Sequence, residues 1–278
     1  MLEQLKYKNH QNEVFEFGKN GIFVNTNDLH DYEWKATSKG NRISALSRAI
    51  STRKIPVVIM CDTEAQGIEA RNRLLEVFEK DVMAMQHGQI MIGDYYFRCF
   101  VTKSQKKDYL TSKRHMRIDL TLTSDYPYWV KETVMQFRPG GSSSSGNGSL
   151  WLDYPHDFPF DYFLSSANTN SLFNSGFVAT NFKMILYGSC SNPAINIAGH
   201  TYQVFCDVGV SEYLTIDSTT KKIQLTQYDG TVVNKFNSRN KESYIFEKIP
   251  VGDNTLTYSG LSDFDIILME ERSEPKWI

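Results

Sequence analysis

The run Arg138-Pro-Gly-Gly-Ser-Ser-Ser-Ser-Gly-Asn-Gly-Ser149 divides a chain of 278 residues into two stretches of similar length. Gly and Ser bury no apolar surface and lose much conformational entropy on ordering, so such a run reads as a flexible connector. Aromatic–proline phrases flank it: Asp125-Tyr-Pro-Tyr-Trp-Val-Lys-Glu132 on one side and Leu152-Asp-Tyr-Pro-His-Asp-Phe-Pro-Phe-Asp-Tyr162 on the other. Proline restricts the residue before it to extended or turn geometry, and Tyr, Trp and Phe offer large amphipathic surfaces. The expected organisation is a module over residues 1–137, a linker over 138–149 and a second module over 150–278, with the last residues able to pack back on the first. Two compact bodies with aromatic margins at their joint suit a part of an assembly better than a one-cleft enzyme.

Composition narrows the class. A hydrophobic fraction of 41% with 22% charged residues is that of a folded globular chain. The formal net charge of -2 excludes a general nucleic-acid binder, whose affinity rests on clustered positive charge. An aromatic fraction of 13%, with Val, Ile and Thr abundant, favours sheet. The segment Met1-Leu-Glu-Gln-Leu-Lys-Tyr-Lys8 lacks the apolar core of a signal peptide, and no apolar run is long enough to span a bilayer, so no membrane is expected as a partner. Cys61, Cys99, Cys190 and Cys206 are scattered without a C-x-x-C pair. Two bridges are arithmetically possible; free thiols made in a reducing cytoplasm are favoured.

Periodicity predicts a mainly β chain. The first module reads as α+β, with one helix on a sheet. Short alternating runs occur at Val14–Phe17, Ile22–Val24 and Leu29–Trp34, and Ile55–Met60 reads as a strand that Pro56 places at an edge or a start. The helix follows. Thr63 with Gln66 forms a capping-box pattern, and Ala65, Ile68, Leu75, Phe78 and Val82 form a stripe expected to face the sheet. Gly93-Asp94 reads as a type II′ turn within a hairpin over 89–101, and Met116, Ile118, Leu120 and Leu122 alternate with polar residues along the next strand.

The second half carries short strands at Phe182–Tyr187, Ile195–Ile197, Thr201–Phe205, Lys222–Tyr228, Thr231–Val233, Ser243–Phe246, Asn254–Tyr258 and Phe264–Leu268. Ala198-Gly199 and Asp229-Gly230 mark turns. That pattern belongs to a β-sandwich or jelly roll.

Signatures of chemistry are missing. The six histidines never approach one another or a cysteine at ligand spacing, and there is no G-x-S-x-G, H-E-x-x-H or P-loop. Asp153, Asp157 and Asp161 lie among aromatics, as glycosidase carboxylates do. They share one short irregular stretch, however, where Asp and Pro more simply make turns. Asp263 and Asp265 fit an exposed strand face. No catalytic, metal or cofactor residues are therefore assigned. The asymmetry that stands out is basic: Lys35 to Lys54 holds no Asp or Glu, and Lys103, Lys106, Lys107, Lys113 and Arg114 form a second cluster. Solvated faces account for such charge. So does a surface complementary to an acidic neighbour, such as 270–274, or a lining near passing DNA.

The order of these parts resembles the distal tail proteins of long-tailed, non-contractile bacteriophages. The likeness rests on Asp31-Tyr-Glu-Trp34, Arg53-Lys-Ile-Pro-Val57, the single capped helix, Asp125-Tyr-Pro-Tyr-Trp129, the phrase at 152–160 and Glu271-Arg-Ser-Glu-Pro-Lys-Trp277. The resemblance implies a ring-forming N-terminal domain, a galectin-like C-terminal sandwich and a homo-hexamer that joins the tail tube to the tip or baseplate. It also implies a structural role in the virion after synthesis in the bacterial host cytoplasm. The implied partners are the tail tube protein, the tape-measure protein, the tail-associated lysin or fibre base and, in some members, a receptor-binding protein; DNA would only pass through the ring. Sugar binding does not carry over, because the His-x-Asn-x-Arg run of galectins is absent around His200. On this reading Lys39, Arg42, Arg48, Arg53 and Lys54 are candidate subunit-interface residues. The alternative is a stand-alone carbohydrate-binding or glycan-cleaving sandwich.

Limited proteolysis is expected to nick first between Arg138 and Ser149 and leave two resistant fragments. Earlier cutting elsewhere, with that segment intact, would refute the connector.

Overall fold

The computed structural model describes residues 4–25, 27–107, 112–138, 171–259, 261 and 263–277. Most of the Gly/Ser run and the phrase containing Asp153, Asp157 and Asp161 lie outside the described residues. Two compact units emerge. The first comprises Met1–Glu132 together with Glu271–Ile278, and the second comprises Thr133–Glu270.

In the first unit the strands are β1 (Leu5–Lys8), β2 (Val14–Glu16), β3 (Ile22–Val24), β4 (Lys35–Lys39), β5 (Arg42–Ser47) and β6 (Ser51–Met60). Helix α1 (Glu64–Ala84) follows, then β7 (Gly88–Ile92), β8 (Tyr95–Lys106), β9 (His115–Ser124) and the start of β10 (Trp129–Phe137). The pairings run antiparallel, β2-β1-β7-β8 in one direction and β8-β9-β6-β3 in the other. Met116, Ile118, Leu120 and Leu122 of β9 are buried, as their alternation requires. Gly93 joins β7 to β8 at a φ of 55°, the left-handed first position of a type II′ turn.

Pro56 lies inside β6 rather than at its start. The register with β3 ends at Val24 opposite Val57, and one position on, the Pro56 carbonyl still accepts the Asn25 N–H at 2.9 Å while proline has no N–H to return, so the pairing ends there. Leu29–Trp34, read as a strand, is not one. Asn27 Oδ1 accepts the Leu29 N–H at 3.1 Å, Asp28 Oδ1 accepts the Lys54 N–H at 2.6 Å, and buried Trp129 donates its indole N–H to the Leu29 carbonyl. Side-chain acceptors there replace a ladder.

The helix begins as its sequence requires. Thr63 Oγ1 accepts from the Gln66 N–H, and the Gln66 side chain accepts from the Thr63 N–H. Of the apolar stripe Phe78 is buried, and the rest of the inward face differs from it. Gly67, Ala70, Leu74, Val77, Phe78 and Asp81 are buried, whereas Ile68, Leu75 and Val82 are 43%, 40% and 36% exposed. Small residues decide the approach: a Cβ on Gly67 would stand 2.1 Å from the Lys113 carbonyl oxygen. Backbone fits where a larger apolar side chain cannot.

The second unit is a sandwich. Its strands are β11 (Ser171–Asn174), β12 (Asn181–Tyr187), β13 (Cys190–Ser191), β14 (Ala194–Ile197), β15 (His200–Gln203), β16 (Asp207–Val208), β17 (Tyr213–Asp217), β18 (Lys222–Thr226), β19 (Val232–Asn234), β20 (Gly252–Ser259) and β21 (Phe264–Arg272). One sheet runs β19-β18-β17-β12-β21 and the other β11-β20-β14-β15. Their inner faces share one core, where Phe182 meets Tyr202 edge to face at 5.1 Å. Ala198 and Gly199, at φ values of 51° and 82°, turn β14 into β15. The turn at Asp229-Gly230 is wider than a two-residue loop: β18 stops at Thr226, and Gln227 donates to the Thr231 carbonyl. Ser243–Phe246 forms no strand. Ile245 and Phe246 are buried in an irregular segment held by Tyr202 Oη, which donates to the Glu247 carbonyl at 2.9 Å.

Gly67→Ala is expected to lower stability by about 1–3 kcal/mol through overpacking, although alanine alone favours a helix by about 1 kcal/mol. Chemical denaturation followed by far-UV circular dichroism measures it, and a stabilised variant would contradict the close approach.

Candidate assembly surface

Strands β4 and β5 pair only with each other, and every residue of both is exposed. A two-stranded ribbon with two solvated faces is marginal in water. This one carries Lys35, Lys39 and Arg42 beside exposed Ile43 and Leu46, with Ile50 following at 69% exposure. Lys39 pairs with Arg42 across the turn at Gly40, so the tip concentrates positive charge. A bulge follows, where Ser44 Oγ donates to the Thr37 carbonyl at 2.9 Å.

The five basic residues singled out above divide by environment. Lys39 and Arg42 are free-standing on the ribbon, and the Lys54 side chain is exposed on β6. Arg48 is half-buried between aromatic rings, its guanidinium carbon 5.5 Å from the Trp34 ring centre and 5.0 Å from that of Tyr128. Burial draws its pKa below the ordinary arginine value, with Tyr128 and Tyr32 opposing. Arg53 is buried at 4% exposure, donates to the Asp28 carbonyl at 2.6 Å and lies over the Phe97 ring. Burial lowers its pKa as well, and Asp28 opposes. The ribbon thus presents Lys39 and Arg42 outward, while Arg48 and Arg53 anchor its base.

Residues 271 onward complete this unit. Trp34 Nε1 donates to Ser273 Oγ at 3.2 Å, Tyr126 Oη donates to the Glu271 carboxylate, and the His30 ring stacks on Trp277 at 4.0 Å. Glu271 is therefore engaged beside the ribbon's root rather than along its strands. The aromatic phrase at 125–129, legible in the sequence, proves to receive that segment. The ribbon itself gave no periodic signal, but Gly40-Asn41 between β-compatible runs is a hairpin mark. Among the described residues no group of three His, Cys, Asp or Glu side chains is placed to hold a metal, and the four cysteines are free thiols.

The architecture is that of phage baseplate and distal tail hub proteins. It is similar over 99% of this chain and 100% of the other to a chain of the phage P2 baseplate in its activated conformation with Ca, at a TM-score of 0.66 and 12% identity. The same baseplate with Sr gives a TM-score of 0.67 at 12% identity, with 99% of this chain and 100% of that one covered. The SPP1 Dit protein, described as a paradigm of the hub adsorption apparatus in phages that infect Gram-positive hosts, gives 0.57 at 10% identity over 98% and 100%. No family model and no curated protein sequence matches the chain.

Arg53→Ala is expected to cost about 1.5–3 kcal/mol, the range for a hydrogen bond from a charged group. Lys54→Ala should stay within about 0.5 kcal/mol. Urea denaturation of both variants tests the division, and equal effects would overturn it.

Proposed function

We propose that this chain is a structural component of a phage tail tip, a hub protein whose first unit closes a ring through the β4–β5 ribbon. The observation that carries the reading is the ribbon: acid-free, unpaired at both outer edges and apolar at Ile43 and Leu46, in a chain with the hub fold. Free strand edges invite pairing with another chain. A basic projection on one flank suits head-to-tail association, which gives a ring when the rotation closes. Lys39, Arg42 and the Lys54 side chain face the neighbouring copy, and Arg48 and Arg53 hold the ribbon in place for it.

The copy number of six follows the resemblance to distal tail proteins. So do the further partners: the tail tube and tape-measure proteins, the tail-associated lysin or fibre base, and a receptor-binding protein on the galectin-like second unit. The role is architectural rather than enzymatic, and its place is the virion; among the described residues no helix is long and apolar enough to cross a membrane.

Size-exclusion chromatography with light scattering on the full chain tests this. The parent is expected to run as a closed oligomer. Lys39→Glu with Arg42→Glu, or Ile43→Ser with Leu46→Ser, should shift it toward monomer by at least tenfold in the association constant, about 1.4 kcal/mol. Raised salt should weaken it more modestly, because apolar area is buried too. A parent that stays monomeric at high concentration and low salt would defeat the ring.

A further inference from the structure

A second surface of the first unit has no part in the ribbon. Lys8, Gln89 and Arg98 stand directly opposite one another across β1, β7 and β8, as the registers Lys8↔Gln89 and Gln89↔Arg98 fix. Their neighbours Tyr7, Ile90 and Phe97 are fully buried on the other face. Alternation therefore turns Lys8, Gln89 and Arg98 away from the core as one transverse row. His10 and His87 continue the same face beyond the strand ends, and the His87 ring lies 4.4 Å from that of Phe100. Together with Asn12, Gln86 and Met85 these residues line a cavity of about 440 Å³, and its lining contains no Asp or Glu.

The charges in this cavity are not balanced internally. His10 is held by Asp81, with Nδ1 2.6 Å from Oδ1, and His87 Nε2 lies 2.9 Å from Asp125 Oδ1. Both carboxylates sit against imidazoles rather than against Lys8 or Arg98. Lys8 and Arg98 remain as permanent cations at the two ends of the row. The Arg98 guanidinium carbon lies 4.4 Å from the centre of the Tyr126 ring, a cation–aromatic contact that holds the side chain at one wall of the cavity. Its Nε is buried and has no hydrogen-bond acceptor among the described residues. An orphaned buried donor on a cation costs free energy unless something outside the chain accepts from it.

We infer that this cavity is an oxyanion site, in which a carboxylate or phosphate group bridges Lys8 and Arg98 over the Gln89 amide. Two strand spacings put the backbones of Lys8 and Arg98 roughly 10 Å apart, and their side chains close that gap from opposite sides. Arginine receives such a group in bidentate fashion, lysine as a point charge. The cavity is larger than a bare oxyanion, so the natural group is carried on a larger molecule: an acidic protein segment or a phosphorylated compound. The site does not depend on the hub reading.

Isothermal titration of the full chain at neutral pH and constant ionic strength tests the site, with inorganic phosphate and a triglutamate peptide as probes. Saturable binding of either is expected, weakened at least tenfold by Lys8→Gln with Arg98→Gln. Gln89→Glu should weaken it similarly, because it sets a carboxylate in the middle of the row while leaving both cations and the half-exposed surface intact. That variant carries the test if loss of Arg98 prevents folding. Tighter binding of triglutamate assigns the site to an acidic protein segment, and tighter binding of phosphate assigns it to a phosphorylated ligand. Absence of saturable binding up to the order of 10 mM, or variants that bind like the parent, would overturn it.

Discussion

Asp81 carries a side chain with no exposed surface, on the last full turn of the only long helix among the described residues. Its carboxylate accepts the Tyr7 hydroxyl at 2.6 Å, the His10 backbone N–H at 2.8 Å and the His10 ring at 2.6 Å. A buried carboxylate is tolerated only when it is so satisfied. All three donors come from β1 and the residues after it, so the helix end is bound to a strand that is paired on both sides, by β2 and by β7. Gly88 is part of the same arrangement, since a Cβ there would lie 2.1 Å from Tyr7 Oη and 2.2 Å from Asp81 Oδ2. Burial, with Cys99 and Asp81 adding, holds the Tyr7 phenol well above its ordinary pKa, so it stays a donor. From this joint follow the close seat of α1 and the exposed side of β1, β7 and β8.

What the sequence disclosed was what local chemistry decides. The capping box at Thr63 and Gln66, the II′ turn at Gly93 and the alternation of Met116 to Leu122 each depend on a few neighbouring residues. What it concealed was decided at a distance. The apolar stripe of α1 pointed to Ile68, Leu75 and Val82, yet the inward face runs through Gly67, which lies against the Lys113 carbonyl, and Ala70 and Leu74. Leu29–Trp34 has the pattern of a strand, but Asn27 and Asp28 supply its bonds from side chains. Ser243–Phe246 has strand composition and buries Ile245 and Phe246 without a ladder. In the candidate site, the charge of Lys35 to Lys54 was legible as composition. Lys39 and Arg42 stand on a ribbon whose two faces are both solvated, where alternation is uninformative, whereas Arg53 shares the buried face of Ile55, Val57 and Ile59 on β6, so carrying the alternation of that strand back to residue 53 would have placed it inward.

The two units solve different problems with the same material. The sandwich matches the inner faces of two sheets over one core. The first unit has one helix for many strands and so keeps surfaces that its own residues do not cover: a ribbon with free edges and a concave cationic sheet face. Uncovered backbone and unbalanced charge are costly in isolation and useful in an assembly. The hub fold, shared at 10–12% identity with solved tail proteins, tolerates wide replacement of side chains while the arrangement of strands persists.

The contact between Tyr126 and Glu271 joins residues 145 positions apart, with the whole second unit synthesised between them. In chain order the second unit is an insertion into the first. A ribosome that has released residue 132 has delivered the ribbon and the helix, but not the Ser273 that meets Trp34 or the Trp277 that stacks on His30. Non-local contacts of this kind form late, after the intervening chain has been ordered. The root of the ribbon is therefore completed only once the second unit has been made, so the order of translation delays maturation of the edge that is most prone to pair with another chain.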